Sequence, residues 1–262
     1  MKKGELKMFS TSRKMIVAGI LTLSVLGAGA SAALAEEAAP SADAAVSFLS
    51  KYVWRGYELS DDSIVIQPSL SVSYMGFGIN LWGNLDTNWY DEVTDDEITK
   101  WIETDLTLSY DGSVEKLGYG VGYIYYAINA ESESDSQEIY ATLSYDTILA
   151  PSFAVYYDID AFDGDTYFSL GIGHSFALSE AMSLDLGFSA GYYIIDSDDE
   201  GYSAFHDGVL SASISFPVGE YVTIAPELYY SFPLSDDAQD FYEATGDEDG
   251  YVYGGATVSF AF

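Results

Sequence analysis

Apolar and polar positions alternate with a period of two through most of the chain. From Ile64 to Tyr74, Ile66, Pro68, Leu70, Val72 and Tyr74 fall on one face, and Gln67, Ser69, Ser71 and Ser73 fall on the other. The pattern resumes after Met75-Gly76, where Phe77, Ile79, Leu81 and Leu85 alternate with Gly78, Asn80, Trp82, Asn84 and Asp86. Successive side chains of a strand point to opposite faces, so this pattern predicts strands with one apolar and one polar side. Twelve segments repeat it, over 45–56, 64–74, 77–86, 101–110, 117–128, 138–146, 152–160, 166–176, 182–194, 208–216, 221–232 and 251–262. A tilted strand crosses a bilayer in ~9–11 residues, which is the length of most of these segments.

The connections alternate in kind. Short ones lie at 75–76, 111–116, 147–151, 177–181 and 217–220; the others, often longer and strongly acidic, lie at 57–63, 87–100, 129–137, 161–165, 195–207 and 233–250. Short turns at one end and long loops at the other are the layout of outer-membrane barrels. An even strand number returns both termini to the short-turn, periplasmic side. A soluble barrel would keep its apolar face inside. Here the polar face is built mainly of Ser, Gly, Thr, Asn and Tyr, which suits a wet lumen, and the apolar face is almost free of charge. Rings gather near strand ends: Tyr110, Tyr119, Phe153, Phe176, Phe216 and Tyr221 on the short-turn side, and Tyr52, Trp54, Trp101, Phe168, Tyr192 and Phe232 on the other. They resemble two interfacial girdles. The expected fold is therefore all-β, a transmembrane antiparallel up-and-down β-barrel of twelve strands. In the last strand Ala256, Val258, Phe260 and Phe262 form one row, and the row ends on Phe262. This looks like the C-terminal assembly signal of bacterial outer-membrane barrels, with the barrel assembly machinery as the partner during insertion.

The first residues fall outside this pattern. Lys2, Lys3, Lys7, Arg13 and Lys14 precede an uncharged apolar run from Met15 to Ala35, which ends in Ala33-Leu34-Ala35. That is the form of a secretory signal peptide over 1–35, with Ala30-Ser31-Ala32 as a second cleavage point and Met8 as an alternative start. A short periplasmic segment, 36–44, and the barrel, 45–262, follow. Of 42 acids only Glu5 falls in the leader, whereas five of the nine bases do. The remainder carries only Lys51, Arg55, Lys100 and Lys116 as bases, a balance that argues against nucleic acid as a partner. There is no Cys, hence no disulfide framework and no thiolate metal site.

Three stretches carry a family likeness. Ser50-Lys51-Tyr52-Val53-Trp54-Arg55-Gly56, then Ile66-Gln67-Pro68, then Gly78-Ile79-Asn80-Leu81-Trp82-Gly83-Asn84 resemble the opening of the TorF-type porin family of bacterial outer-membrane β-barrels. The likeness is specific over 46–86 and general thereafter. It implies a channel in the outer membrane of a Gram-negative bacterium, with outer-membrane lipids and small solutes or cations as partners.

The lumen face carries the candidate chemistry. Lys51 and Arg55 fall there on the first segment, facing Glu103, Asp105, Asp158, Asp160, Asp185 and Glu227. Two bases are too few to pair all six acids, which predicts a wet, electronegative, narrow pore. Mid-strand Asp105 and Glu227 are the candidates for a constriction, and Trp82, Tyr126, Tyr140, Tyr156 and Tyr229 narrow the lumen further. His174 is read as a girdle residue and His206 as a loop residue beside Asp207; neither stands in a pattern like that of the lipid-active barrel enzymes, so no enzyme is expected. Asp196, Asp198, Glu200, Gly201 and Asp207 match a calcium-loop spacing only loosely and are read as a solvated acidic loop, with no metal or other cofactor. The functional expectation is a passive diffusion channel preferring cations. The alternative is a non-conducting barrel serving as a scaffold or interaction surface.

Overall fold

The computed structural model describes residues 39–60, 62–91, 96–129, 134–197 and 201–262. The expected leader lies outside these residues. The barrel strands are β1 (Ser41–Leu49), β4 (Val65–Tyr74), β5 (Phe77–Asp91), β6 (Asp96–Val114), β7 (Leu117–Ile128), β8 (Ser136–Tyr145), β9 (Ser152–Asp158), β10 (Thr166–Ala177), β11 (Ser183–Ile195), β12 (Tyr202–Pro217), β13 (Val222–Pro233) and β14 (Tyr251–Ala261). Each is antiparallel to its neighbours, and β1 closes on β14 through the register Asp43↔Ala261 to Leu49↔Gly255. Closure leaves no open sheet edge, which a β-structure in hydrocarbon requires.

The apolar face points outward. Leu70, Ile79, Leu170 and Leu228 are 50%, 55%, 56% and 57% exposed, values that a water-soluble core would not show. The only surroundings that suit such a band are lipid tails. Rings meet on its rims, as in Phe77 with Tyr110 and Tyr192 with Phe205. His174 shares this outer face, with its Nδ1 2.7 Å from the Ile148 carbonyl oxygen.

Two connections on the loop side turn inward. The first corrects the expected opening strand, 45–56. That strand runs from Ser41 to Leu49, so Ser41–Ala44 belong to the barrel wall rather than to a periplasmic segment. The chain then leaves the wall and folds into the lumen as a small hairpin, β2 (Val53–Trp54) paired with β3 (Tyr57–Glu58). Its two turn residues, Arg55 (φ 45°) and Gly56 (φ 88°), are both left-handed, as a two-residue type I′ turn requires. A hairpin keeps the period of two, so alternation continued across the break and hid it. Tyr52 and Trp54, expected in the outer girdle, are buried inside.

The second inward connection is α1 (Asp236–Thr245), within the expected loop 233–250. The Ser235 side chain accepts a hydrogen bond from the Ala238 amide at its start, and left-handed Gly246 ends it. Its Ala238 and Tyr242 are buried, and the Tyr242 ring meets Tyr57 of the hairpin with centres 6.0 Å apart. The Gly56 position has no room for a side chain, since a Cβ there would sit 1.8 Å from Tyr242 Oη. The expected loop 87–100 is largely strand, because β5 and β6 continue to Asp91 and from Asp96.

Candidate functional site

The lumen has two unlike halves. On the short-turn side it is lined by small polar groups that reach solvent. Asn80 Nδ2 donates to Ser69 Oγ (2.9 Å) and Ser71 Oγ (3.0 Å), Ser109 Oγ donates to Asp111 (2.9 Å), and Ser47 and Thr257 hydroxyls meet at 2.7 Å. On the loop side the hairpin and α1 fill it. Tyr52, Trp54, Tyr57, Leu59 and Tyr242 pack against Val65, Trp82, Ile124, Tyr126, Tyr156, Tyr167 and Tyr193 in one buried cluster.

Charges sit inside this filled half. Arg55, at the hairpin tip, donates from both terminal nitrogens to Glu138 of β8, at 2.8 and 2.9 Å. Both side chains are almost fully buried. Rings surround the guanidinium: its Cζ lies 4.2 Å from the Trp54 ring centre, 4.9 Å from Tyr156, 4.5 Å from Tyr167 and 6.0 Å from Tyr193. Tyr126 Oη donates to the same Glu138 carboxylate at 2.8 Å. Burial works against the guanidinium's charge, but Glu138 more than offsets it, and the Arg55 pKa rises above its ordinary value. Lys51 is tied within the hairpin connection, donating to Glu58 (3.1 and 2.9 Å) and to Asp62.

The expected pore-lining residues are thus split. Lys51 and Arg55 belong to the inward hairpin, not to a wall strand, and both are paired. Glu103 and Asp105 do face inward from β6 and are buried, with Glu103 accepting from Tyr52 Oη at 2.9 Å. Among the described residues Asp105 Oδ1 has no hydrogen-bond partner. Asp158 is turned to local duty: it accepts from Ser136 Oγ (2.6 Å) and from the amides of Asp160 (2.9 Å) and Phe162 (3.1 Å), holding the loop after β9. Asp160 is exposed in that loop and accepts from Gln137 Nε2 at 2.6 Å. In the short-turn half, Asp185 accepts from Ser183 at 3.0 Å, and its Oδ1 has no partner among the described residues. Glu227 accepts from Tyr229 (2.9 Å) and Thr257 (2.8 Å) on β13, nearly across the barrel from β6.

Three members of the filled half were not expected there from the sequence. Glu138 shares the phase of Tyr140, and following that phase one step back would have placed it in the lumen. Asp207 and His206 were expected in a loop. They lie on β12 instead, buried side by side near an irregularity in its pairing with β11, where two successive residues turn inward. Asp207 accepts from Tyr167 Oη at 2.8 Å, and His206 Nδ1 lies 2.7 Å from Tyr202 Oη. This inward turn removes Asp207 from the expected calcium-like spacing; Asp198 and Glu200 of that spacing lie outside the described residues.

No family model and no curated protein sequence matches the chain. Solved structures do. The NanC porin is similar over 84% of this chain and 98% of its own, with 10% identity and a TM-score of 0.54. An outer-membrane channel from Pseudomonas putida F1 is similar over 85% of this chain and 94% of its own, with 8% identity and a TM-score of 0.49. LpxR from Salmonella typhimurium is similar over 86% of this chain and all of its own, with 8% identity and a TM-score of 0.47. At 10% identity the NanC likeness speaks for the fold, and the outward apolar band agrees with it: this chain is a closed twelve-stranded β-barrel of the outer-membrane type.

Proposed function

We propose that this barrel is a channel of the Gram-negative outer membrane for passive diffusion of small solutes, that it prefers cations, and that it is akin to the TorF-type porins. Its inward charge balance supports the preference most directly. Among the described residues the two bases inside the lumen, Lys51 and Arg55, are each consumed by an acid. Asp105, Asp185, Asp207 and Glu227 face the lumen with no base bridged to them. Low-dielectric walls focus the field of such charges and raise the local cation concentration. Salt screens that field over ~8 Å at physiological strength, so acids close to the solute path matter most. The likeness to a barrel named as a porin supports a transport role.

The hairpin and helix in the loop half favour a second reading, a closed barrel that presents its acidic loops as a scaffold. The reversal potential of the refolded protein in a salt gradient separates the two. Cation preference, strongest at low salt, is the expected result. Anion preference overturns the channel's proposed selectivity, and absence of current overturns the channel in favour of the closed barrel.

A further inference from the structure

We infer that the wall pocket now holding Arg55 is a binding site for the guanidinium group of small solutes, with the hairpin seated in it as an internal ligand. This assigns a solute class to the channel proposed above and rests on that reading. The pocket is built almost wholly by the barrel. Tyr126, Glu138, Tyr156, Tyr167 and Tyr193 come from β7 to β11, consecutive wall strands, and only Trp54 comes from the hairpin. It fits a guanidinium in both of that group's dimensions. The Glu138 carboxylate meets the planar fork with two near-parallel hydrogen bonds, at 2.8 and 2.9 Å. Tyrosine rings lie around the cation's carbon at 4.5–6.0 Å. An ammonium is a compact point charge that cannot make the forked contact.

The pocket is organised without Arg55. Tyr126 holds the Glu138 carboxylate, and Asp207 holds the Tyr167 hydroxyl. The hairpin is held differently from the wall. Among the described residues its strands pair with each other, as a separate two-stranded sheet, so its displacement unpacks Tyr52, Trp54 and Leu59 but breaks no barrel ladder. Its tip also departs from ordinary turn chemistry. A type I′ turn favours Asn, Asp or Gly at its first central position, because φ is positive there. This chain places Arg55 at that position with φ 45°, and the side chain reaches the wall carboxylate. A solute guanidinium that displaces it exchanges one forked pair for another, so the buried Glu138 never loses its cation during passage.

The absence of cysteine allows a direct test. Leu59, buried in the hairpin connection, is changed to Cys (Leu59→Cys), and maleimide labelling of the refolded protein is timed in millimolar methylguanidinium or methylammonium chloride at equal ionic strength. Methylguanidinium is expected to speed labelling about tenfold, with saturation, and methylammonium to leave it unchanged. Equal responses to the two cations, or no response, overturn the proposal. In parallel, calorimetry on Arg55→Ala should show one saturable methylguanidinium site that is lost on adding Glu138→Gln. A folded Arg55→Ala protein without that site also overturns it; should that variant not fold, the labelling experiment decides alone. Neither readout measures current. A barrel that conducts but ignores guanidinium refutes this site only, and one that responds but carries no current refutes the channel only.

Discussion

The two halves of the lumen differ in what the same wall strands present. β5 offers Asn80 to the short-turn half and buried Trp82 and Asn84 to the loop half; β8 offers Thr142 and Ser144 to one, and Glu138 to the other. Small hydroxyls leave space that water occupies, and each hydroxyl is satisfied by a neighbour or by solvent. Rings and a buried ion pair do the reverse: they exclude water and need a partner across the lumen, which the hairpin and α1 supply. The contrast teaches that openness in this barrel is set by what the wall side chains hold inside it, here the hairpin and α1, with strand number held constant. It also places the bases seen inside the lumen in the half where they are locked.

Changes to the locked half should have the largest effects. Arg55→Ala leaves Glu138 buried without its cation, and we expect a loss of about 3–5 kcal/mol of stability, read as a fall in the urea midpoint of the refolded barrel. An unchanged midpoint would mean that the pair is far wetter than its burial indicates. Gly56→Ala adds a Cβ against Tyr242 at a left-handed position. It should cost about 1–3 kcal/mol in the same assay and loosen the hairpin from α1. Glu227→Gln in the open half, combined with Asp105→Asn at the inner edge of the filled half, should lower cation selectivity with a smaller effect on stability, because among the described residues neither acid is bridged to a base. A large stability loss with unchanged selectivity would assign these acids to structure. Least of all should the lumen respond to deletion of Phe262, which lies outside it and whose amide donates to the Ala42 carbonyl at 2.9 Å across the β1–β14 seam. We expect impaired insertion, seen as loss of heat-modifiable gel mobility in outer-membrane fractions, while export to the periplasm continues.

The wall was legible because lipid on one side and a polar lumen on the other impose a strict alternation. Strand ends mostly fell within a few residues of expectation, as at Phe77, Leu117, Ser152 and Thr166. The filled half was legible only in part. Glu103 and Asp105 were found by phase, but the hairpin was masked because its residues alternate as wall strands do. The one local sign was Leu49, an apolar residue in the polar phase, which turns inward and packs under the plug. Arg55-Gly56 read as the end of a strand; only the paired positive φ angles reveal a turn. Glu138 and Asp207 show two further limits of phase counting. The first residue of a segment, here Glu138 of 138–146, counts in the phase like the rest, and an irregularity in pairing resets the count. No sequence signal marked α1 as inward-facing, since its burial depends on Gly56 of a connection far away in the chain.

Whether the hairpin is the barrier between the two halves is best tested by removing it. Leu49 and Val65 are cross-strand partners, so residues 51–63 can be replaced by a two-residue Gly-Asn turn without straining the wall. Single-channel recordings of this variant and the parent, in the same bilayer and salt, then compare the lumen with and without its plug. Conductance is expected to rise severalfold while cation preference persists, because the inward acids of β6, β11 and β13 remain in place. Equal conductance in the two proteins would contradict it, by locating the barrier elsewhere than in the Arg55 hairpin.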